Sequence, residues 1–271
     1  MVNEHDTKER ERSTDELARE RDELLRLQRL LLPASLPAIG CTQAAAGYRA
    51  HNDPLSLGGD WYDLIDRPDD RVVAVIGDVV GHGVEQISVM GQLRAAANAF
   101  ARVCDTPAQI LSKLEEFAGE LPDADMTTAQ VLMLDGSETI GLASAGHLPP
   151  IVVDTEGGYR VIDTVKRPPL GLFGDGADET FTAGVGDTIV LYTDGVVERP
   201  GVVIDEGIDD LARFVADHHE RSVSEIVDGA LDHFSPSASD DMALLLLRPV
   251  HERSDSYRLK RKQVAGVQII S

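Results

Sequence analysis

Aspartates beside short apolar segments are the residues of this chain best suited to chemistry. The apolar segments cover residues 72–77, 189–192 and 242–247, and each has an acid at one end. A further acid follows two glycines just before the first segment. These acids are Asp60, Asp78, Asp194 and the adjacent pair Asp240 and Asp241. Carboxylates gathered without a Cys or His cluster favour hard, oxygen-seeking cations such as Mg²⁺ or Mn²⁺ over zinc. The pattern predicts a divalent-cation site, and the alternative is a set of unrelated turns, in which Asp is common.

The segment at 72–77 is predicted to be a buried central strand that delivers Asp78 to an edge of the core. Its apolar residues run without alternation and end in a glycine, which is typical of a strand covered on both faces. Residues 58–63 precede it as the predicted hairpin partner, with the loop at 66–71 between them. Two acids would then meet at the open end of one hairpin.

The remaining pattern predicts many short strands interrupted by pairs of helices. Helical periodicity covers residues 84–104, 107–120, 207–219 and 223–234. Strand patterns bounded by turn residues cover 44–50, 127–134, 139–145, 151–153, 159–165, 189–192 and 242–247. Short turns between strands favour antiparallel sheets, and the helix pairs would cover their outer faces.

Length and composition bound the class of protein. The chain has 271 residues, 42% of them hydrophobic, and a net charge of -22. Such an acidic chain is a poor ligand for nucleic acid or an anionic membrane, so proteins or metal-neutralised groups are the expected partners. Cys41 and Cys104 have neither metal-ligand spacing nor a disulfide framework, as in a reducing compartment. Without an apolar segment of ~20 residues or a signal-peptide core, a cytoplasmic protein is expected.

The two termini differ from the predicted domain at 33–250. Residues 1–32 contain a charged helix with leucines at 17, 24 and 31, a sevenfold spacing that suits either a short coiled coil or docking on the chain's own domain. Residues 251–271 form a tail with five basic side chains, and we expect it to be flexible or to lie on an acidic surface. The helix is the expected place for a regulatory protein or for a homodimer contact.

Five short motifs place glycines and acids at the ends of the predicted strands. In chain order they are Gly58-Gly59-Asp60-Trp61-Tyr62-Asp63, Gly77-Asp78-Val79-Val80-Gly81-His82-Gly83, Ser144-Ala145-Gly146-His147, Thr193-Asp194-Gly195 and Ser239-Asp240-Asp241-Met242. Their order and spacing resemble the bacterial metal-dependent serine/threonine phosphatases of the PPM (protein phosphatase 2C) family. The branch that they resemble is that of sporulation stage II E and RsbU, over residues 26–248.

That resemblance implies an α+β fold, a four-layer α-β-β-α sandwich of two mainly antiparallel sheets flanked by helices, with two Mn²⁺ or Mg²⁺ ions at one end. Carried over by motif, one ion has as ligands Asp60, Asp78 and the backbone carbonyl of Val79. The other has Asp78, Asp194 and Asp240, with Asp241 as the alternative to Asp240. Two such ions activate a water that attacks phosphorus directly, so no covalent enzyme intermediate is needed.

The implied function is hydrolysis of phosphoserine or phosphothreonine in a protein, with Asp78 at the centre of catalysis. By resemblance, the substrate is an anti-anti-sigma factor in a partner-switching stress or sporulation-type pathway. His82 is either a turn residue between two glycines, which we favour, or the acid that protonates the leaving oxygen. The sequence departs from the branch at residues 84–88, which leaves the ligands intact but affects substrate fit or the regulatory position of the helix. A catalytically weak signalling module of the same fold is the alternative function.

Overall fold

Two five-stranded antiparallel sheets form the centre of the molecule in a computed structural model. The model describes residues 23, 25–50, 58–81, 83–165, 167–172, 174, 177–238 and 240–250. The strands are β1 (Thr42–Arg49), β2 (Trp61–Asp66), β3 (Val72–Asp78), β4 (Thr128–Leu134), β5 (Thr139–Ala145), β6 (Ile151–Val153), β7 (Tyr159–Val161), β8 (Glu179–Thr182), β9 (Thr188–Tyr192) and β10 (Met242–Pro249). Sheet I has the order β1-β10-β9-β6-β7, and sheet II has the order β2-β3-β4-β5-β8.

Helices cover the outer face of each sheet. They are α1 (25–31), α2 (Val84–Ala101), α3 (Pro107–Ala118), α4 (Asp194–Val197), α5 (Ile204–Asp217) and α6 (Val223–Phe234), followed by one 3₁₀ turn at Ser235–Ser237. Helices α2 and α3 pack on sheet II, whereas α5 and α6 pack on sheet I. The predicted four-layer α-β-β-α sandwich is therefore confirmed.

Strands β3 and β10 show why both sheets are apolar on both faces. Val73 and Val75 of β3 face the helices, and the alternate residues of β3 face sheet I. In β10, Leu244 and Leu246 face α5 and α6, whereas the residues between them face sheet II. Each central strand thus contributes to two cores, which requires the unbroken apolar segments seen in the sequence.

The predicted hairpin around the first apolar segment is present, although its first strand is displaced. Strand β2 begins at Trp61 rather than within the glycine pair, and Trp61 pairs with Gly77 of β3.

Strand β7 ends at Val161, so the predicted extension to residue 165 is wrong. Two short elements, β8 and α4, were not predicted.

The end of the N-terminal helix docks on the domain. Leu32 is buried in the core between α2, α3 and sheet II, and Leu31 lies against Gly91 of α2. Leu27 and Leu30 remain 52% and 70% exposed. The predictions made for residues 1–22, for His82 and for the tail at 251–271 lie outside the described residues.

In the part of the chain that the model covers, every helix is too short or too polar to cross a membrane.

Candidate metal centre

The open end of the β2–β3 hairpin brings two of the predicted ligands together. Asp78 is the last residue of β3, and Asp60 directly precedes Trp61, the first residue of β2. Because Trp61 pairs with Gly77, Asp60 and Asp78 come side by side, close enough for the charge of Asp78 to raise the pKa of Asp60. Asp60 is buried, and the hydroxyl of Thr193 donates a hydrogen bond of 2.6 Å to it.

Sheet I supplies the other two predicted ligands. Asp194 follows β9 and begins α4, and Asp240 precedes β10, which pairs with β9. Asp240 acts on both Asp78 and Asp194 and raises the pKa of each carboxyl. The four acids therefore lie in one cluster at the same end of both sheets.

Burial and like charge shift the pKa values of these acids upward. Burial followed by the charge of Asp194 raises the pKa of Asp78 to about 7. Burial followed by the charge of Asp240 raises the pKa of Asp194 to about 6. The pKa of Asp60 is raised well above its usual value, first by burial and then by Asp78 and Asp194. Each shift has the sign expected for carboxylates that lack a nearby cation.

Asp240 and Asp241 have different environments although they are adjacent. Asp241 is buried, and its Oδ2 accepts hydrogen bonds from the backbone N–H of Gly58 at 2.7 Å, from Gln28 Nε2 at 3.2 Å and from the hydroxyl of Tyr48. Asp240 is exposed at the cluster. The carboxylate of Asp241 thus fixes the loop before Asp60, which favours Asp240 as the ligand.

Close backbone approach explains two glycines of the site motifs. A Cβ on Gly59 would collide with the carbonyl oxygen of Val79, the predicted backbone ligand. A Cβ on Gly195 would collide with the carbonyl oxygen of Asp241. Glycine at these two positions lets neighbouring segments of the same sheet approach closely beside the acids, Gly59 in sheet II and Gly195 in sheet I.

Two polar side chains of the sequence motifs have partners at the site that the sequence did not predict. Thr193 Oγ1 binds Asp60 and also accepts a hydrogen bond of 2.8 Å from the backbone N–H of Ala243. The buried His147 imidazole contacts Thr128 and the carbonyl of Tyr192. The motifs around both residues were visible in the sequence, but these partners lie on distant segments.

The donor set fits hard divalent cations. The groups are carboxylates with one adjacent backbone carbonyl, as Mg²⁺ and Mn²⁺ prefer. Across the described ranges, no three His, Cys, Asp or Glu side chains form a ready-made ligand group. The centre is an open cluster of acids rather than a closed cage.

Comparison with known proteins agrees with this fold. The chain resembles the structure of the RsbU and RsbW domains of a Mycobacterium tuberculosis protein, with 28% identity and a TM-score of 0.75, over 87% of this chain and 70% of that one. RsbX, solved in complex with magnesium, has 16% identity and a TM-score of 0.61, over 79% of this chain and 98% of its own. The fold and these matches place the chain in the SpoIIE/RsbU branch of the PPM-type phosphatase family, so the predicted resemblance is confirmed.

The family model described as stage II sporulation protein E (SpoIIE) matches residues 68–250, and the chain belongs to this family. The match includes Asp78, Asp194 and Asp240 and begins after Asp60. Among curated proteins, phosphoserine phosphatase RsbU of Bacillus subtilis is 25% identical over 209 residues, which are 71% of this chain and 59% of that protein. The chain thus spans about three fifths of the length of this relative.

Proposed function

We propose that this protein is a Mn²⁺- or Mg²⁺-dependent phosphatase that hydrolyses phosphoserine or phosphothreonine in a partner protein. The observation that carries the proposal is the cluster of Asp60, Asp78, Asp194 and Asp240 at one end of both sheets. Burial and neighbouring carboxylates raise the pKa values of Asp60, Asp78 and Asp194, so negative charge at this site is unfavourable until cations compensate it. A phosphate could not approach such a site without cations to neutralise it.

Each acid has a defined role in this proposal. Asp60 and the carbonyl of Val79 would hold one ion, Asp194 and Asp240 would hold the other, and Asp78 would serve as a ligand of both. When bound, two such ions polarise a water and the phosphoryl oxygens and stabilise both the attacking and the leaving oxygen.

The neighbouring side chains keep these ligands in place. The hydroxyl of Thr193 donates to Asp60 and orients its carboxylate. Asp241 fixes the Gly58 backbone, so the loop that carries Asp60 has a defined position. The role of His82 stays a prediction from the sequence: it is a turn residue, which we favour, or the acid that protonates the leaving oxygen.

The relative named phosphoserine phosphatase RsbU supports the choice of substrate class. We infer that the substrate is a phosphorylated protein of the anti-anti-sigma type in a partner-switching pathway. A regulatory protein or a second copy of the chain would contact α1, where Leu27 and Leu30 are exposed.

Hydrolysis of p-nitrophenyl phosphate and of a phosphoserine partner protein, with and without Mn²⁺, tests the proposal. Asp78→Asn should lower kcat/KM about a hundredfold or more, because each 1.4 kcal/mol lost is a factor of ten and metal-ion stabilisation is worth several kcal/mol. The matched control is Asp135→Asn, in the β4–β5 turn at the other end of sheet II, which should stay within twofold of wild type.

Equal rates for wild type and Asp78→Asn would refute the proposed centre. Mn²⁺ binding without turnover on either substrate would instead favour the catalytically weak signalling module.

A further inference from the structure

The imidazole of His147 lies between the two sheets and contacts both of them. Its Nδ1 is 2.8 Å from Oγ1 of Thr128 in sheet II, and its Nε2 is 3.1 Å from the carbonyl oxygen of Tyr192 in sheet I. A carbonyl only accepts, so Nε2 carries the proton and donates, whereas Nδ1 accepts from the Thr128 hydroxyl. Burial lowers the pKa of His147 to about 4, so the ring is neutral with one tautomer at neutral pH.

Both contacts of His147 lie beside predicted ligands. Thr128 pairs with Asp78 across β3 and β4. The Tyr192 carbonyl lies two residues before Asp194, at the point where β9 ends. The His147 side chain therefore links the end of β3 and β4, where Asp78 lies, to the end of β9, which leads to Asp194.

The backbone around His147 is itself fixed. Gly146 has a φ of 66°, a conformation that favours glycine, and its N–H donates to the carbonyl of Arg167 at 3.0 Å. The hydroxyl of Ser144 donates to the carbonyl of His147 at 3.3 Å. These bonds aim the imidazole into the space between the sheets.

Directional contacts matter here because most of the contact between the sheets is apolar, and the Thr193–Asp60 hydrogen bond is another polar link at this end. The core between them consists of aliphatic and aromatic side chains, which attract without a preferred direction. Two bound ions need their ligands within a few tenths of an ångström, so a polar link that fixes one strand end against another affects them strongly.

We propose that His147 is a positioning residue of the metal centre, which holds the Asp78 and Asp194 strand ends in register across the two sheets. The inference rests on the proposed two-ion site. His147 touches neither substrate nor metal in this account, and it acts through Thr128 and the Tyr192 carbonyl.

Three substitutions test the proposal. His147→Phe fills the space without either hydrogen bond, His147→Gln keeps a donor that can reach the Tyr192 carbonyl, and Thr128→Val removes only one hydroxyl. The matched control is Ser222→Ala, which removes the N-cap of α6 on the outer face of sheet I and lowers stability without touching the centre. Mn²⁺ affinity by calorimetry, kcat and KM are measured well below each melting temperature.

We expect His147→Phe to weaken Mn²⁺ binding by 10- to 100-fold, the usual range for residues that orient metal ligands. Its kcat should fall by a similar factor, whereas KM for p-nitrophenyl phosphate should stay within twofold. His147→Gln should recover part of the Mn²⁺ affinity, and Thr128→Val should give an intermediate loss. Without metal, amide hydrogen exchange at residues 193–196 should be faster in His147→Phe than in Ser222→Ala.

The results separate this inference from the proposed function. A wild-type protein without Mn²⁺ binding and turnover would refute both. If wild type is active and the folded His147 and Thr128 variants match Ser222→Ala in Mn²⁺ affinity, kcat and exchange, His147 is only a core residue and the inference is wrong.

Discussion

The β2–β3 hairpin carries acids at both of its ends, and their pKa values are shifted in opposite directions at the two ends. At the turn, Asp69 accepts hydrogen bonds from Arg67 at 2.9 Å and from Arg71 at 2.6 Å. These arginines hold the pKa of Asp69 below its usual value. At the open end, Asp60 and Asp78 are buried beside further carboxylates, and their pKa values are raised.

The difference separates an acid that stabilises the fold from the acids that we propose as metal ligands. Where an acid stabilises the turn, the chain supplies its own guanidinium groups. At the open end, the charges that act most strongly on the acids are other carboxylates, which costs stability as long as no cation is bound. An external cation would convert this unfavourable cluster into a functional centre.

The largest expected effect comes from removing one acid at each end of the hairpin. Asp60→Asn should lower Mn²⁺-dependent turnover about a hundredfold or more, because one ion loses a ligand. Asp69→Asn should change turnover less than twofold and cost about 1–3 kcal/mol of stability, since the buried Arg67 guanidinium would lose its charged acceptor. Turnover on p-nitrophenyl phosphate and denaturant unfolding without metal measure the two effects. Equal loss of turnover in Asp60→Asn and Asp69→Asn would contradict the distinction between the two ends of the hairpin.

The adjacent pair before β10 should divide into the same two classes. Asp241→Asn leaves a buried position with poorly matched donors, so it should cost about 1–3 kcal/mol of stability. Asp240→Asn should leave stability without metal unchanged or higher and should weaken Mn²⁺ binding. Calorimetric titration and urea unfolding of both variants measure this contrast. If Asp241→Asn abolished binding while Asp240→Asn did not, the ligand assignment would be reversed.

A smaller effect is expected from pH. The pKa of Asp78 is raised to about 7, so the folded protein without metal keeps a proton that the unfolded chain loses near pH 4. Stability from this group is complete below pH 4 and is lost as pH rises through 7. The contribution of Asp69 to stability has the opposite pH dependence. Because its pKa is lowered, this contribution is present above pH 4 and is lost at lower pH.

Mn²⁺ must displace the protons that Asp78 and Asp194 keep because of their raised pKa values. Between pH 5 and 7 the Mn²⁺ affinity should therefore increase about tenfold per pH unit for each proton that is released. Calorimetry in buffers of different ionisation enthalpy measures this release. The loss of stability between pH 5 and 8 should be smaller in Asp78→Asn than in wild type. An affinity that is independent of pH would contradict the assignment.

The sequence was sufficient to predict the elements whose ends carry strong local signals. Helix α6 has the predicted limits because Ser222 and Glu225 form a capping box around its start. Strands β5 and β6 also have the predicted limits, since turn residues flank them. Asp78, Asp194 and Asp240 were found because they lie within two residues of an unbroken apolar segment, and Asp60 was found because it follows a glycine pair just before one.

Other features depend on contacts that no local pattern reveals. Strand β8 is a four-residue edge strand with one buried side chain, Phe181, so its pattern is too short to detect. Asp240 and Asp241 differ only through partners far away in the chain, such as Gln28. The role of His147 follows from strands that meet only in the folded protein.

Anomalous diffraction at the manganese absorption edge, from crystals grown in Mn²⁺, tests the central claim most directly. The account predicts two peaks ~4 Å apart at the open end of the hairpin. One peak should lie against Asp60 and the Val79 carbonyl, the other against Asp194 and Asp240, with Asp78 between them. Peaks elsewhere, or none in a protein that still hydrolyses phosphoserine, would contradict it.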